Sequence, residues 1–183
     1  MVQAAESTYY GGGHRGTEAE FGRQAEQFGV REVNFSFAGH QPAREKGLVI
    51  LSPEELKKGD ISMEIVSIRM NRKYSEMDKI RKVIQSIFHM VNNGLQVFTV
   101  GWIQPDDTVK GGTGWAAELG KLFNRPLSVF DQDRNRWYTW KDKGWVEDMP
   151  VIEHKTFVGT GTRNLTETGK QAIKDLFSRS FSA

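Results

Sequence analysis

The sequence predicts a single α/β domain built on a mostly parallel sheet with helices on both faces. Short apolar runs with strand character alternate with runs of helical periodicity, the pattern that βαβ units leave in a chain. Three glycine-rich turns stand where an apolar run passes toward a helix-like run. They are Tyr10-Gly11-Gly12-Gly13-His14-Arg15-Gly16, Lys110-Gly111-Gly112-Thr113-Gly114 and Gly159-Thr160-Gly161-Thr162-Arg163. No linker, repeat or low-complexity stretch divides the 183 residues, so residues 1–183 read as one domain.

Residues 8–10 read as a strand end entering the first glycine turn. A helix follows over 17–28, where Ala19, Phe21, Ala25 and Phe28 form a buried stripe and Gly29 is the stop. Residues 33–37 alternate like a strand, 41–47 form a loop, and 48–51 a second short strand. Ser52-Pro53-Glu54-Glu55 starts a brief helix, with Ser as cap, Pro at the first position and Glu three residues after the cap. The longest helical signal spans 74–92, with Met77, Ile80, Ile84, Ile87, Phe88 and Val91 at three- and four-residue spacing. Strands are expected at 95–102 and 126–130, with a helix at 115–123 between them. Residues 131–148 hold Trp137, Tyr138, Trp140 and Trp145 among charges and read as a hairpin or cap. A strand at 156–158, a helix at 166–177 and a tail at 179–183 complete the chain.

Composition excludes several function classes. The chain has no cysteine, which removes disulfides, thiolate catalysis and cysteine-ligated metal. Its four histidines have no metal-ligand spacing, so no metal and no cofactor is expected. No apolar run approaches the length of a membrane span, and Met1-Val2-Gln3-Ala4-Ala5-Glu6 lacks the basic and apolar regions of a signal peptide. A cytoplasmic location is the resulting expectation. The formal charge of +2 comes from interspersed residues, 25 basic and 23 acidic. Nucleic acid is therefore not expected as a partner, even at the tryptophans, where acidic neighbours offset Arg134, Arg136, Lys141 and Lys143. Those aromatics fit a cap or a subunit interface better.

Glycine turns at the carboxyl ends of parallel strands present backbone N–H groups and helix N-termini to a ligand, a cradle for phosphate or another anion. The candidate binding residues are Gly11, Gly12, Gly13, Arg15 and Gly16; Gly111, Gly112, Thr113 and Gly114; and Gly159, Thr160, Gly161, Thr162 and Arg163. The threonines offer hydroxyls and the arginines a fork of donors suited to phosphate. None of the turns has the Lys-Ser/Thr ending of a P-loop. Asp131, at the end of a strand, fits either a turn residue or a ribose contact. Glu118, early in the helix after the second turn, either stabilises that helix or serves as a carboxylate beside a sugar ring. Arg72 would then hold phosphate or ribose.

The turn Gly159-Thr160-Gly161-Thr162-Arg163 resembles the opening strand and turn of the SLOG superfamily, nucleotide-binding proteins with a modified Rossmann fold. That turn comes first in the family and last here. Gly11-Gly12-Gly13-His14-Arg15-Gly16-Thr17-Glu18 is similar to the family's second element, so the order resembles the circularly permuted YpsA-like branch, some members of which are described as molybdenum carriers. Three motifs are also similar to those of the Lonely Guy, or lysine decarboxylase-like, phosphoribohydrolases. They are Tyr10 through Gly16, Met70-Asn71-Arg72-Lys73 less one position, and Gly111-Gly112-Thr113-Gly114-Trp115-Ala116-Ala117-Glu118, where Trp115 stands in place of threonine. The resemblance implies a circularly permuted, modified Rossmann fold that binds a nucleotide or nucleotide-derived small molecule and forms a homo-oligomer by pairing through helices, for which helix 74–92 is a candidate. It implies two alternatives as well: a nucleoside 5′-monophosphate N-glycosidase with Glu118 and Arg72 as catalytic residues, and a molybdate or oxyanion carrier.

Overall fold

The structure, a computed structural model, describes residues 2–181. After a 3-10 turn at Ala4–Glu6, the chain runs β1 (Thr8–Gly11), α1 (Thr17–Phe28), β2 (Arg31–Phe37), β3 (Leu48–Leu51), α2 (Pro53–Lys57), α3 (Asp60–Met70) and α4 (Asp78–Asn93). It continues through β4 (Gln96–Gly101), α5 (Thr113–Leu122), β5 (Leu127–Asp131), β6 (Arg136–Lys141), β7 (Gly144–Asp148), β8 (Thr156–Gly161) and α6 (Glu167–Phe181). All eight strands form one sheet in the order β3-β2-β1-β8-β4-β5-β6-β7. The six strands from β3 to β5 are parallel; β6 and β7 are antiparallel additions at the edge.

Alternation along the central strands supplies both faces. Tyr9, Phe98 and Phe157 point to one side, where Phe21 and Ala25 of α1 meet Ile173, Leu176 and Phe177 of α6. Their neighbours Val97 and Val158 point to the other, onto Met63 and Val66 of α3, Ile84, Ile87, Met90 and Val91 of α4, and Ala116 and Leu119 of α5. The sheet is therefore buried on both faces, which is why its central strands read as nearly continuous apolar runs. Gly159 of β8 marks the tightest packing on the α1 side. A methyl group at this position would fall on the Phe21 ring.

Local signals explain most boundaries. α1 ends at Gly29 in the left-handed region (φ 74°), and α2 begins with both capping-box bonds, Glu55 N–H to Ser52 Oγ at 3.1 Å and Ser52 N–H to the Glu55 carboxylate at 2.8 Å. Four boundaries differ from the sequence expectation. α3 was not anticipated: Met63, Val66 and Met70 form its buried face, but exposed Ile61, Ile65 and Ile68 repeat at helical spacing on the opposite face. Two apolar stripes cancel each other's periodicity, so no amphipathic signal survives. α4 begins at Asp78, since Tyr74 lies in the irregular segment before it, packed on Trp115 at 5.8 Å with its hydroxyl donating to Asp60 at 2.7 Å. Gly159, Thr160 and Gly161 are the last residues of β8, and the turn proper follows them. Residues 179–181 belong to α6 rather than to a tail. Ser180 accepts a hydrogen bond from the Ile152 N–H at 2.8 Å, and Phe181 packs on Phe28 and Phe177. Residues 182–183 lie outside the described residues.

The tryptophan-rich hairpin caps the sheet edge. Asp142 and Lys143 between β6 and β7 both have positive φ, as a two-residue hairpin turn requires. Trp137 enters the core beside Phe98 and Phe130, whereas Trp140 and Trp145 pack edge to face at 4.9 Å under the Lys121 ammonium of α5. Among the described residues, no helix is long and apolar enough to cross a membrane.

Candidate functional site

The strand order fixes where a ligand can approach. From β1 the chain moves outward through α1 on one face, and from β4 it moves the opposite way through α5 on the other face. β8 lies between them, so the carboxyl ends of β1, β8 and β4 border the crevice where connections diverge.

At the β1 turn the expected cradle has an internal occupant. Glu18, the second residue of α1, is 4% exposed and turns its carboxylate back beneath the glycines. One oxygen accepts from the Gly12 N–H at 3.1 Å and the His14 N–H at 3.0 Å; the other accepts from the Thr160 hydroxyl at 2.6 Å. The N–H groups that the glycine pattern offers to an anion are thus partly satisfied by the chain itself. This corrects the picture of a bare cradle. A methyl group at Gly12 would meet the Met90 methyl at 2.7 Å and the Glu18 carboxylate at 3.0 Å, so a side chain there would displace both. The Gly13 carbonyl accepts from the Ala43 and Arg44 N–H groups at 2.9 and 3.1 Å, so loop 38–47 lies over the same turn. Arg44 secures that loop through bonds to the buried Glu32 carboxylate at 2.6 and 2.7 Å.

The first and third turns are joined to each other. The N–H and hydroxyl of Thr17 both donate to the Thr162 carbonyl, at 3.1 and 2.8 Å. Gly16, at φ 87°, lets the Thr162–Arg163 backbone pass within 2.7 Å of where a side chain would stand. Thr162 also donates its N–H to Val100 of β4 at 2.9 Å. Gly11 and Gly161 close their strands beside this junction. Arg15 and Arg163 emerge from it exposed, with no side-chain hydrogen bond or ion pair among the described residues. Over the first turn lie His14 and His40, ring centroids 4.5 Å apart. Burial, followed by the charge of His14, holds the His40 imidazole down at about 4.

The second turn stands apart from this junction in its bonding. Gly111 (φ 68°) and Gly112 border open space, and Thr113 begins α5 with its side chain buried against Gly101. Arg72 clamps the preceding loop, donating to Gly111 O and Val109 O at 2.9 Å each, Gln104 Oε1 at 3.0 Å and Thr108 Oγ1 at 3.3 Å. Gly114 is small because the Val109 carbonyl and the Arg72 guanidinium press against it. Glu118 bonds elsewhere: Arg69 of α3 donates to it at 2.9 Å, and Lys121 lies 3.3 Å from its other oxygen. Burial pushes the Lys121 ammonium down despite this partner. The structure therefore brings Arg69 rather than Arg72 to Glu118. Sequence inspection missed Arg69 because α3 itself carries no amphipathic signal. Asp131, 2% exposed, accepts from the N–H groups of Ile103, Asp133 and Arg134 at 2.9 to 3.0 Å and so fixes the loops after β4 and β5. Among the described residues, no group of three or more metal-ligating side chains is arranged to hold an ion.

Comparison with protein-family models, with curated proteins and with solved structures gives no match.

The Glu18 junction generates a test. Replacing Glu18 with Ala leaves three donors, two of them in buried bonds, without their acceptor, where charge-assisted bonds each contribute about 1.5–3 kcal/mol. Glu18→Ala should lower unfolding stability by roughly 3 kcal/mol or more in urea titrations. A loss below about 1 kcal/mol would mean that the carboxylate does not hold the turns together.

Proposed function

We propose that the protein binds a nucleotide or nucleotide-derived anion at the carboxyl edge of the sheet, where the β1 and β8 turns meet. The observation that carries this reading is the junction itself: two exposed arginines, Arg15 and Arg163, unpaired among the described residues, belong to turns that border the crevice between diverging strand connections. Glu18 already takes the Gly12 and His14 N–H groups, so the negative charge of a ligand falls to the guanidinium groups instead. The nucleotide class rests on the likeness of the turns to the SLOG pattern. An oxyanion such as molybdate would use the same arginines.

The N-glycosidase reading has less support. Arg72 spends its donors on the loop after β4, and Glu118 is held by Arg69 and Lys121. A carboxylate already bound by two cations is a poor partner for an oxocarbenium-like centre.

We also propose self-association through the outer face of α3. Ile61, Ile65 and Ile68 are 80%, 42% and 77% exposed and form one stripe, and Met77 at the start of α4 is 67% exposed. The buried Ile84 of α4 is not available for pairing.

Two experiments test these proposals. Calorimetry with a panel of nucleoside monophosphates should show binding that weakens about tenfold or more in Arg15→Ala and in Arg163→Ala, since a hydrogen bond to a charged group contributes about 1.5–3 kcal/mol. Chromatography of the same mixtures should show no free base. Absence of binding by every nucleotide, with thermal protection by molybdate, would replace the nucleotide by the oxyanion; base release abolished by Glu118→Ala would instead establish the enzyme. For self-association, size-exclusion chromatography should give an oligomer that becomes monomeric in the Ile61→Asp/Ile68→Asp double variant. An unchanged elution volume would clear α3 of that role.

A further inference from the structure

The function proposed above leaves two histidines unused at its margin. His14 follows the glycines of the β1 turn, and His40 follows β2. Their rings meet at 4.5 Å and an interplanar angle of 45°, and the His40 ring also stacks on Phe37 at 4.9 Å. Ser36 Oγ is hydrogen-bonded to His40 Nδ1 at 2.7 Å, which fixes the ring. The remaining nitrogen, Nε2, is covered in both rings and has no hydrogen-bond partner among the described residues in either. An imidazole nitrogen is a donor or an acceptor in every protonation state, so this pair carries unused polar capacity.

Charge decides what could use it. The charged and titratable groups that act most strongly on His40 come from four elements: His14 of the β1 turn, Glu18 of α1, Lys79 of α4 and Arg163 of the β8 turn. Glu18 is the anion among these four, and its oxygens are shared among three donors. Lys79 and Arg163 leave the surroundings of the pair cationic, which disfavours a metal ion and favours an anion.

We propose that His14 and His40 are a proton-coupled contact for the phosphate of the ligand. As the anion docks beside Arg163 the ring pair opens, one imidazole takes up a proton from solvent at Nε2, and both Nε2–H groups donate to phosphate oxygens. This rests on the anion-binding reading above and deepens it. Without ligand, His40 is neutral near pH 7, because burial and its cationic neighbours hold it down at about 4. A phosphate dianion reverses the local charge and favours the imidazolium. In the tautomer whose Nδ1–H donates to Ser36, His40 Nε2 has a bare lone pair, which protonation converts into a donor.

The test is calorimetry of a nucleoside monophosphate binding to the whole protein near pH 7, in two buffers of different ionisation enthalpy. The heats should differ by the uptake of about 0.5–1 proton, and affinity should strengthen as pH falls from about 8 to about 6. His40→Gln or His14→Gln should reduce that uptake while Arg15 and Arg163 sustain weaker binding. Binding with equal heats in both buffers would overturn the inference and leave the binding function standing. Uptake unchanged in both variants would also overturn it, by assigning the proton elsewhere. No binding by any nucleotide would overturn both.

Discussion

The carboxylate of Glu18 closes the carboxyl edge of this sheet. It bonds the β1 turn from below through Gly12 and His14 and reaches across to Thr160 of β8. A buried carboxylate is costly to desolvate unless its oxygens are bonded, and three donors from two strand ends meet that requirement. The consequence extends outward. With the turns locked, Gly16 can pass beneath Thr162–Arg163, Thr17 can donate twice to Thr162, and Arg15 and Arg163, unpaired among the described residues, flank the junction in sequence. A negative charge built into a cradle also biases the cradle against a second one. An anion approaching this edge would meet the Arg15 and Arg163 side chains rather than unoccupied Gly12 and His14 N–H groups.

Much of the fold was legible because the local signals were undivided. Helix 17–28, strand 48–51 and the capped helix at Pro53 coincide with the elements observed, since each combined one clear apolar pattern with a recognisable cap or stop. The alternation of elements likewise predicted the mostly parallel sheet. α3 was not legible, because an exposed isoleucine stripe opposes its buried face. The third glycine turn read one element too late. Gly159 is a strand residue whose smallness admits the Phe21 ring, and a packing requirement has the same appearance in a sequence as a turn requirement.

The candidate site was legible by position and less so by role. Gly11 and Gly161 do end strands, whereas Gly111 and Gly112 stand at the start of α5, well after β4 has ended, and a Gly-Gly-Gly turn looks the same whether a ligand phosphate or an internal carboxylate fills it. Only the return of Glu18 over six residues to Gly12 distinguishes them, and helix geometry makes that visible rather than composition. Asp131, Arg72 and Glu118 follow the same rule. Each stands where functional residues of α/β proteins stand, and each is bonded to protein groups that fix the loops or helices around it.

The most direct measurement is a crystal structure with a bound nucleoside monophosphate. Phosphate density is expected beside Arg15 and Arg163, with the Glu18 bonds to Gly12, His14 and Thr160 intact. Phosphate seated on the Gly12 and His14 N–H groups, with Glu18 displaced, would contradict a site built on the two arginines.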